Sequence, residues 1–377
     1  MKKFPKITTL IAAALATVTL AGCTGGCAGC GGAKVTNSAL TNSNWYTQTG
    51  YKGIQPYFIE GNEHFAKETV IYDVTSETKN NGFYKAEYDN GAYKTEFYAR
   101  EYDWNSESIP EKYRAEKKDI VYSYETEYTI SVKYIKGESE TQWFEDSIKT
   151  VSLFRAAYYG LQPVYSKQEM KITSPAMHNP ATLEAAYKRY EVTYENHYDY
   201  ACSEVTSVKT ENGATETKTY GKLNKTSNTL FDNSSLYAAI RSMKLADNLA
   251  QTINLFNAQS GGISTIKLAG NGTAIGKEEL AKISAALADK QLYTPVTKDE
   301  EGNDIEDKGI QTVAISISYD GGEMSGAPQT VWYAALKDAD NNTARCTMLK
   351  LSIPLPFGLG TLNCSLKEVE STIWNGK

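Results

Sequence analysis

A chain of 377 residues, 41% hydrophobic and 22% charged, can bury a sizeable core and is neither a disordered nor a collagen-like polymer. Its formal charge of -6 argues against the broad basic surface that phosphate neutralisation demands, so nucleic acid is not an expected partner. Residue usage is unusual in one respect, with 27 tyrosines against 10 phenylalanines.

At the amino end, Lys2, Lys3 and Lys6 form a basic head before an apolar run over residues 7–20, which closes on Leu20-Ala21-Gly22-Cys23. The run is shorter than the roughly 20 apolar residues of a spanning helix, and residues 1–22 read as a secretory signal. The closing tetrapeptide resembles the lipobox of bacterial lipoproteins. That resemblance implies diacylation of the Cys23 thiol, cleavage on its amino side, and a lipid-anchored location on the extracytoplasmic face of a bacterial cell membrane. Two acyl chains hold a protein on a bilayer where one is marginal.

Residues 23–44 are rich in Gly, Ser, Thr and Asn and read as a flexible tether. Cys27 and Cys30 have C-x-x-C spacing, but nothing around them fixes a backbone for metal ligands, and neither a metal nor a cofactor is expected. The remainder, 45–377, reads as a single large β-rich domain.

Period-two alternation dominates residues 45–221, where 23 of the 27 tyrosines fall. Over 120–134 the even positions Ile120, Tyr122, Tyr124, Thr126, Tyr128, Ile130, Val132 and Tyr134 are mostly apolar or aromatic, and the odd positions include Ser123, Glu125, Glu127, Ser131 and Lys133. This is the pattern of a half-buried antiparallel strand. A second strand places Tyr190, Val192, Tyr194, Tyr198 and Tyr200 on one face. Asp89-Asn90-Gly91 and Asn212-Gly213 supply residues tolerant of positive φ and are read as hairpin turns.

A helical insertion is expected over about 232–290. Leu236, Ile240 and Met243 recur at helical spacing behind a capping Asp232 or Asn233, and residues 277–290 read as an Ala-rich second helix. Strands return over 311–319, 329–336, 344–353 and 361–370. The fold class is mainly antiparallel β with an α+β character: a curved sheet or half-barrel packed on one or two helices lying on one face.

Motifs of catalysis are sparse. G-x-S-x-G and H-E-x-x-H are absent; Ser76 and Lys79 have S-x-x-K spacing but fall in a polar turn; His64, His178 and His197 share no ligand spacing. Asp338, Asp340 and Asn342 mimic the start of a calcium loop, yet Thr343 and Leu349 replace the required Gly and Glu. Gly270, Gly272 and Gly276 precede a helix, but the parallel βαβ unit of a phosphate cradle is not in prospect. The protein is therefore not expected to be an enzyme, although paired carboxylates for glycan hydrolysis are invisible at this level. Cys346 and Cys364 on successive strands are candidates for a disulfide.

Residues 229–245, Thr-Leu-Phe-Asp-Asn-Ser-Ser-Leu-Tyr-Ala-Ala-Ile-Arg-Ser-Met-Lys-Leu, resemble the Asp-x-x-Ser-x-Leu-Tyr-x-x-Arg-x-x-x-Leu segment of an uncharacterised bacterial exported family related to the lipoprotein-carrier fold. Val331-Trp332-Tyr333 with residues 348–354 and 357–362 resembles that family's closing strands. The resemblance implies an open half-barrel wrapped on helices, with an apolar groove for acyl chains, and it aligns Asp232 and Arg241 with a recurring Asp and Arg.

Two functions follow as expectations. One is a membrane-anchored binding protein holding a lipid or other apolar ligand in its groove, with Tyr122, Tyr124, Tyr128, Tyr194 and Tyr198 as wall residues. The other is a cell-envelope interaction module that uses a tyrosine-rich surface for protein or glycan contact. A groove larger than about 300 Å³ favours the first reading and a filled interior the second.

Overall fold

The structure is a computed structural model that describes residues 57–59, 62–64, 67–157, 160–175, 180–223, 230–241, 243, 245, 247–290, 301, 310–319, 328–337 and 344–372. The signal, Cys23, Cys27, Cys30, the tether, His178 and the Asp338, Asp340 and Asn342 loop lie outside the described residues. In chain order the strands begin with β1 (Tyr57–Ile59), β2 (Asn62–His64), β3 (Lys67–Thr78), β4 (Lys85–Asp103), β5 (Lys118–Lys136), β6 (Ser139–Glu140) and β7 (Phe144–Ala157). Next come β8 (Gly160–Pro175), β9 (Tyr187–Tyr198), β10 (Glu204–Glu211), β11 (Ala214–Gly221), β12 (Leu230–Asp232) and the short helix α1 (Leu236–Arg241). The chain continues through β13 (Ala250–Asn257), β14 (Gly262–Gly270), helix α2 (Lys277–Asp289), β15 (Thr312–Tyr319), β16 (Gln329–Lys337), β17 (Ala344–Leu355) and β18 (Gly360–Thr372).

Among the described residues, one mainly antiparallel 16-stranded sheet runs in the order β11-β10-β9-β8-β7-β5-β4-β3-β18-β17-β16-β15-β14-β13-β12, with β6 on the flank of β5; β1 and β2 pair separately. The sheet is open. Its edge strands β11 and β12 do not pair with each other, but the curl brings β12 over the concave face at β8, where the Ser166 hydroxyl donates to Asp232 at 2.8 Å. Residues 232–290 are less helical than their pattern predicts. The hairpin β13–β14 sits between the two helices and extends the sheet.

The helices occupy opposite faces rather than one. Arg241 of α1 bonds Glu68 on the concave side, whereas Glu279 of α2 bonds Lys350 and Ser365, which face outward beside inward-facing Leu351 and Cys364. Helix α1 is also shorter than expected. A 3-10 turn, Asn233–Ser235, takes its first residues, and Asp232 caps it by accepting from the Ser234 amide at 2.8 Å.

Asp89-Asn90-Gly91 is not a hairpin turn but a bulge inside the continuous strand β4. Asp89 pairs with Ser131 and Ala92 with Thr129, so Asn90 and Gly91 together oppose Ile130, with Asn90 at φ 51°. The extra residue shifts the alternation by one, which keeps Ala86 before the bulge and Tyr93 and Phe97 after it on the same concave face. The missed reading has a plain cause: a positive-φ pair and a break in phase signal a bulge as well as a turn. Asn212-Gly213 does form the β10–β11 hairpin, at φ 51° and 81°.

A Cβ at Gly91 would stand 2.7 Å from the Val74 Cβ and 3.0 Å from its carbonyl. Gly91→Ala is therefore expected to lower stability by about 1–3 kcal/mol through overpacking at the β3–β4 seam, read as an earlier urea midpoint with an unchanged slope.

No disulfide joins Cys346 and Cys364. Cys364 pairs with Leu351, five positions along β17 from Cys346, a separation of about 16 Å at the rise of a strand. Cys364 is a buried free thiol, pushed well above the usual cysteine range by burial. Ser76 lies within β3 rather than in a turn.

Candidate functional site

The concave face is where the tyrosine excess is spent. On this curved face a tyrosine reaches two strands across, or onto the helix laid on it, with a hydroxyl to bond there. Tyr72 on β3 donates to the Met348 carbonyl on β17 at 3.0 Å, Tyr134 on β5 to the Thr173 carbonyl on β8 at 3.2 Å, and Tyr333 on β16 to the Tyr237 carbonyl of α1 at 2.9 Å. Burial holds the hydroxyls of Tyr72, Tyr93 and Tyr128 well above the ordinary tyrosine range, which keeps them protonated.

The five expected wall residues divide between two strands. On β5, Tyr122 stacks at 5.7 Å on Phe97 and at 5.9 Å on Phe154; Tyr124 meets Phe97 edge-on and places its hydroxyl 3.5 Å from that of Tyr93. Tyr128 is 1% exposed and its hydroxyl has no hydrogen-bond partner. On β9, Tyr194 is half-buried against the main core, and Tyr198 donates to Asp232 while its ring packs edge-on against Phe256. The cavity beside Tyr124 measures about 10 Å³ and is lined by Glu68, Tyr72, Thr95, Tyr237 and Arg241 among others, room for about one water.

Helix α1 fills the middle of this face and is tied down at both ends. At its amino end the Asp232 carboxylate accepts from Ser166, Tyr198 and both the amide and the hydroxyl of Ser234, and Asn196 extends the chain by donating to Ser166 at 2.9 Å. At its carboxyl end Arg241 makes a bidentate pair with Glu68, 2.6 and 3.2 Å, with the guanidinium 5.3 Å from the Phe97 ring centre. The family resemblance aligned Asp232 and Arg241 with recurring residues, and here both moor one helix. Glu68 was not anticipated. Its signal was available, because a glutamate in phase with Val70, Tyr72 and Val74 breaks the apolar side of a period-two strand.

The convex face carries a second aromatic group. The connection 104–117 folds back as a strap pinned by two buried residues. Trp104 packs with Val121, Leu153 and Val164 and donates to Asp119 at 3.0 Å; Tyr113 donates to Glu204 at 2.6 Å. Tyr200 was expected beside Tyr198, but β9 ends at Tyr198 and the chain turns, which carries Tyr200 to this outer side. It is 43% exposed, with Lys117 and Arg155 each 3.8 Å from its ring centre and Trp104 edge-on at 5.4 Å. The hydrogen bond from Lys117 holds the Tyr200 phenol below its usual range. One carboxylate, Asp119, faces these two cations at 3.5 and 3.6 Å, so an exposed ring is presented in a locally positive setting.

Under the same strap His197 is buried, 3.0 Å from Glu195, which also accepts from Tyr165 at 3.2 Å. The pairing with His197 holds Glu195 below the usual carboxylate range. Among the described residues no group of three or more His, Cys, Asp or Glu is placed to hold a metal ion, and no helix is long and apolar enough to cross a membrane.

No family model matches the chain, and no curated protein matches it. Among solved structures it is similar to a β-barrel-like protein of the domain of unknown function DUF1849 from Brucella abortus, with a TM-score of 0.38 and 9% identity over 81% of this chain and 98% of the other.

Proposed function

We propose that the protein is a membrane-anchored extracytoplasmic lipoprotein, held through acylated Cys23, that serves as a cell-envelope interaction module and makes its contacts with protein or glycan from the convex face of the sheet. The observation that carries this reading is the packing of the concave face among the described residues: Tyr122, Tyr124, Tyr128 and Tyr198 are buried there among core side chains, and the cavity beside α1 is water-sized. An acyl chain would need a groove tens of times larger. The exposed aromatic chemistry lies outside, around Tyr200, where a ring and two cations can meet a polar or anionic partner.

The test is capture of cell-wall fractions by the purified protein, comparing the wild type with Tyr200→Ser. A severalfold loss of retained material on this substitution, with unchanged folding, is the expected result. Undiminished capture would refute the convex-face reading, as would native mass spectrometry showing one acyl lipid retained per chain.

A further inference from the structure

Four large hydrophobic side chains are strongly exposed among the described residues, and two of them share one pole of the sheet. Phe83, 50% exposed, sits in the turn between β3 and β4, and Trp143, 44% exposed, immediately precedes β7. These turns are neighbours, because the start of β4 and the start of β7 both pair with the end of β5. A third aromatic joins them. Phe357, at φ 55° in the β17–β18 turn, is partly exposed, and its loop is tied to the Phe83 turn by the Lys79 amide donating to the Leu359 carbonyl at 2.8 Å.

Part of the charge beneath these rings is paired, although Glu77, Glu138 and Glu145 are exposed at the same pole. Lys85 pairs with Glu87 at 2.8 Å, and Lys133 pairs with Glu87 at 3.4 Å and Glu140 at 2.9 Å while lying 5.1 Å from the Trp143 ring centre. Aromatic tips over a base of mixed charge that includes lysines have the composition of side chains that settle at the boundary between headgroups and acyl chains. A soluble partner surface would instead be met by matched charge at the rim.

We infer that Phe83, Trp143 and Phe357 form a membrane-contact rim, with the bilayer that holds the Cys23 lipid as its occupant. The inference rests on the anchored-lipoprotein reading for the presence of that bilayer. The stretch from Cys23 to Tyr57 can extend to about 110 Å, enough for either pole of the sheet to reach the surface on which the anchor sits. The anchor supplies proximity, and the rim sets which end of the sheet faces the lipid, leaving the convex face free along its length.

The experiment uses the full chain carrying Cys23→Ser, so that no acyl group contributes, and vesicles of phosphatidylcholine with a minor fraction of phosphatidylglycerol. The expected result is co-sedimentation that changes little with salt and weakens about tenfold or more in Phe83→Ser/Trp143→Ser/Phe357→Ser, since burial of the three rings is its source. Trp143 emission should shift to the blue on adding vesicles and be quenched by brominated acyl chains; the difference from Trp143→Phe isolates that signal. If the triple variant fails to fold, Phe83→Ser alone, in an exposed turn, should still weaken binding. Absence of vesicle binding, binding that the substitutions leave unchanged, or a Trp143 signal blind to brominated lipid would each overturn the rim. Failure of the anchor reading is seen separately, as an unacylated Cys23 in the mass of the wild-type protein, and leaves the vesicle result intact.

Discussion

Arg241→Met and Glu68→Met are each expected to lower the free energy of unfolding by about 3–5 kcal/mol, while the double variant recovers most of that loss. Both partners are almost wholly buried, with side-chain exposures of 8% and 2%, and their 2.6 Å contact is the closest of the bidentate pair. Removing either one takes the bidentate partner from a charge buried in a wall of Tyr72, Tyr124, Tyr237 and Phe97. Removing both leaves an apolar gap that two methionines can fill, and methionine adapts to irregular space. Urea unfolding followed by circular dichroism gives the four free energies of the cycle. Small, additive losses would mean that the pair does not seat α1 against β3.

The size of that effect follows from how α1 is held, packed in the core along its length and tied by charged groups at its ends. A helix of six residues has no stability of its own in water, so its position depends on packing and on its moorings. Asp232 secures one end through Ser166 and Tyr198, and Arg241 secures the other through Glu68. Both moorings are charged groups with fixed geometry, whereas an apolar contact would tolerate sliding. The concave face is thereby closed by an element whose placement is specified at two points far apart in the sheet.

Much of this could be read from local pattern and some could not. The alternation from Tyr122 to Tyr134 located β5 and its buried side, and the Asn212-Gly213 pair located a hairpin, because both signals are complete within a few residues. Asp232 was legible as a cap for the same reason. Its bonds to Ser166 and Tyr198 were not, since they depend on how far the sheet curls. Glu68 and Arg241 are 173 residues apart, and only the strand order β3-β18-β17 explains why they meet. The strap 104–117 has no period to detect, and Tyr200 was misplaced because alternation was extended two residues past the end of its strand. Tyr102, Tyr165 and Tyr200 lie on the convex face, whereas the tyrosines of β5 were correctly assigned to one face, the concave one. What periodicity leaves unstated is whether that face encloses space or fills it, which depends on the curvature of the sheet and on the helix laid inside it.

Asp146→Asn is expected to stabilise the protein at pH 7.5 by up to about 3 kcal/mol and to leave its stability near pH 4 almost unchanged. Asp146 faces inward on β7, and burial, against hydrogen bonds from the Thr173 amide and hydroxyl at 2.8 and 2.7 Å, raises its pKa from 3.8 to about 6. Arg189 is the nearby cation and acts the other way, weakly. Below the unfolded value both states carry the proton, and the residue contributes no pH dependence. Between about pH 4 and 6 the unfolded chain gives up its proton while the folded one keeps it, so stability falls as pH rises, and above about pH 6 the full cost of a buried carboxylate persists. An asparagine has nothing to ionise and still offers an oxygen to Thr173, which removes the cost and keeps the contact. Urea midpoints of the wild type and the variant, measured from pH 4 to 8, should coincide at the acid end and diverge toward neutrality. Parallel curves, or a variant weaker at pH 7.5, would show that the Asp146 carboxylate is better solvated than its burial implies.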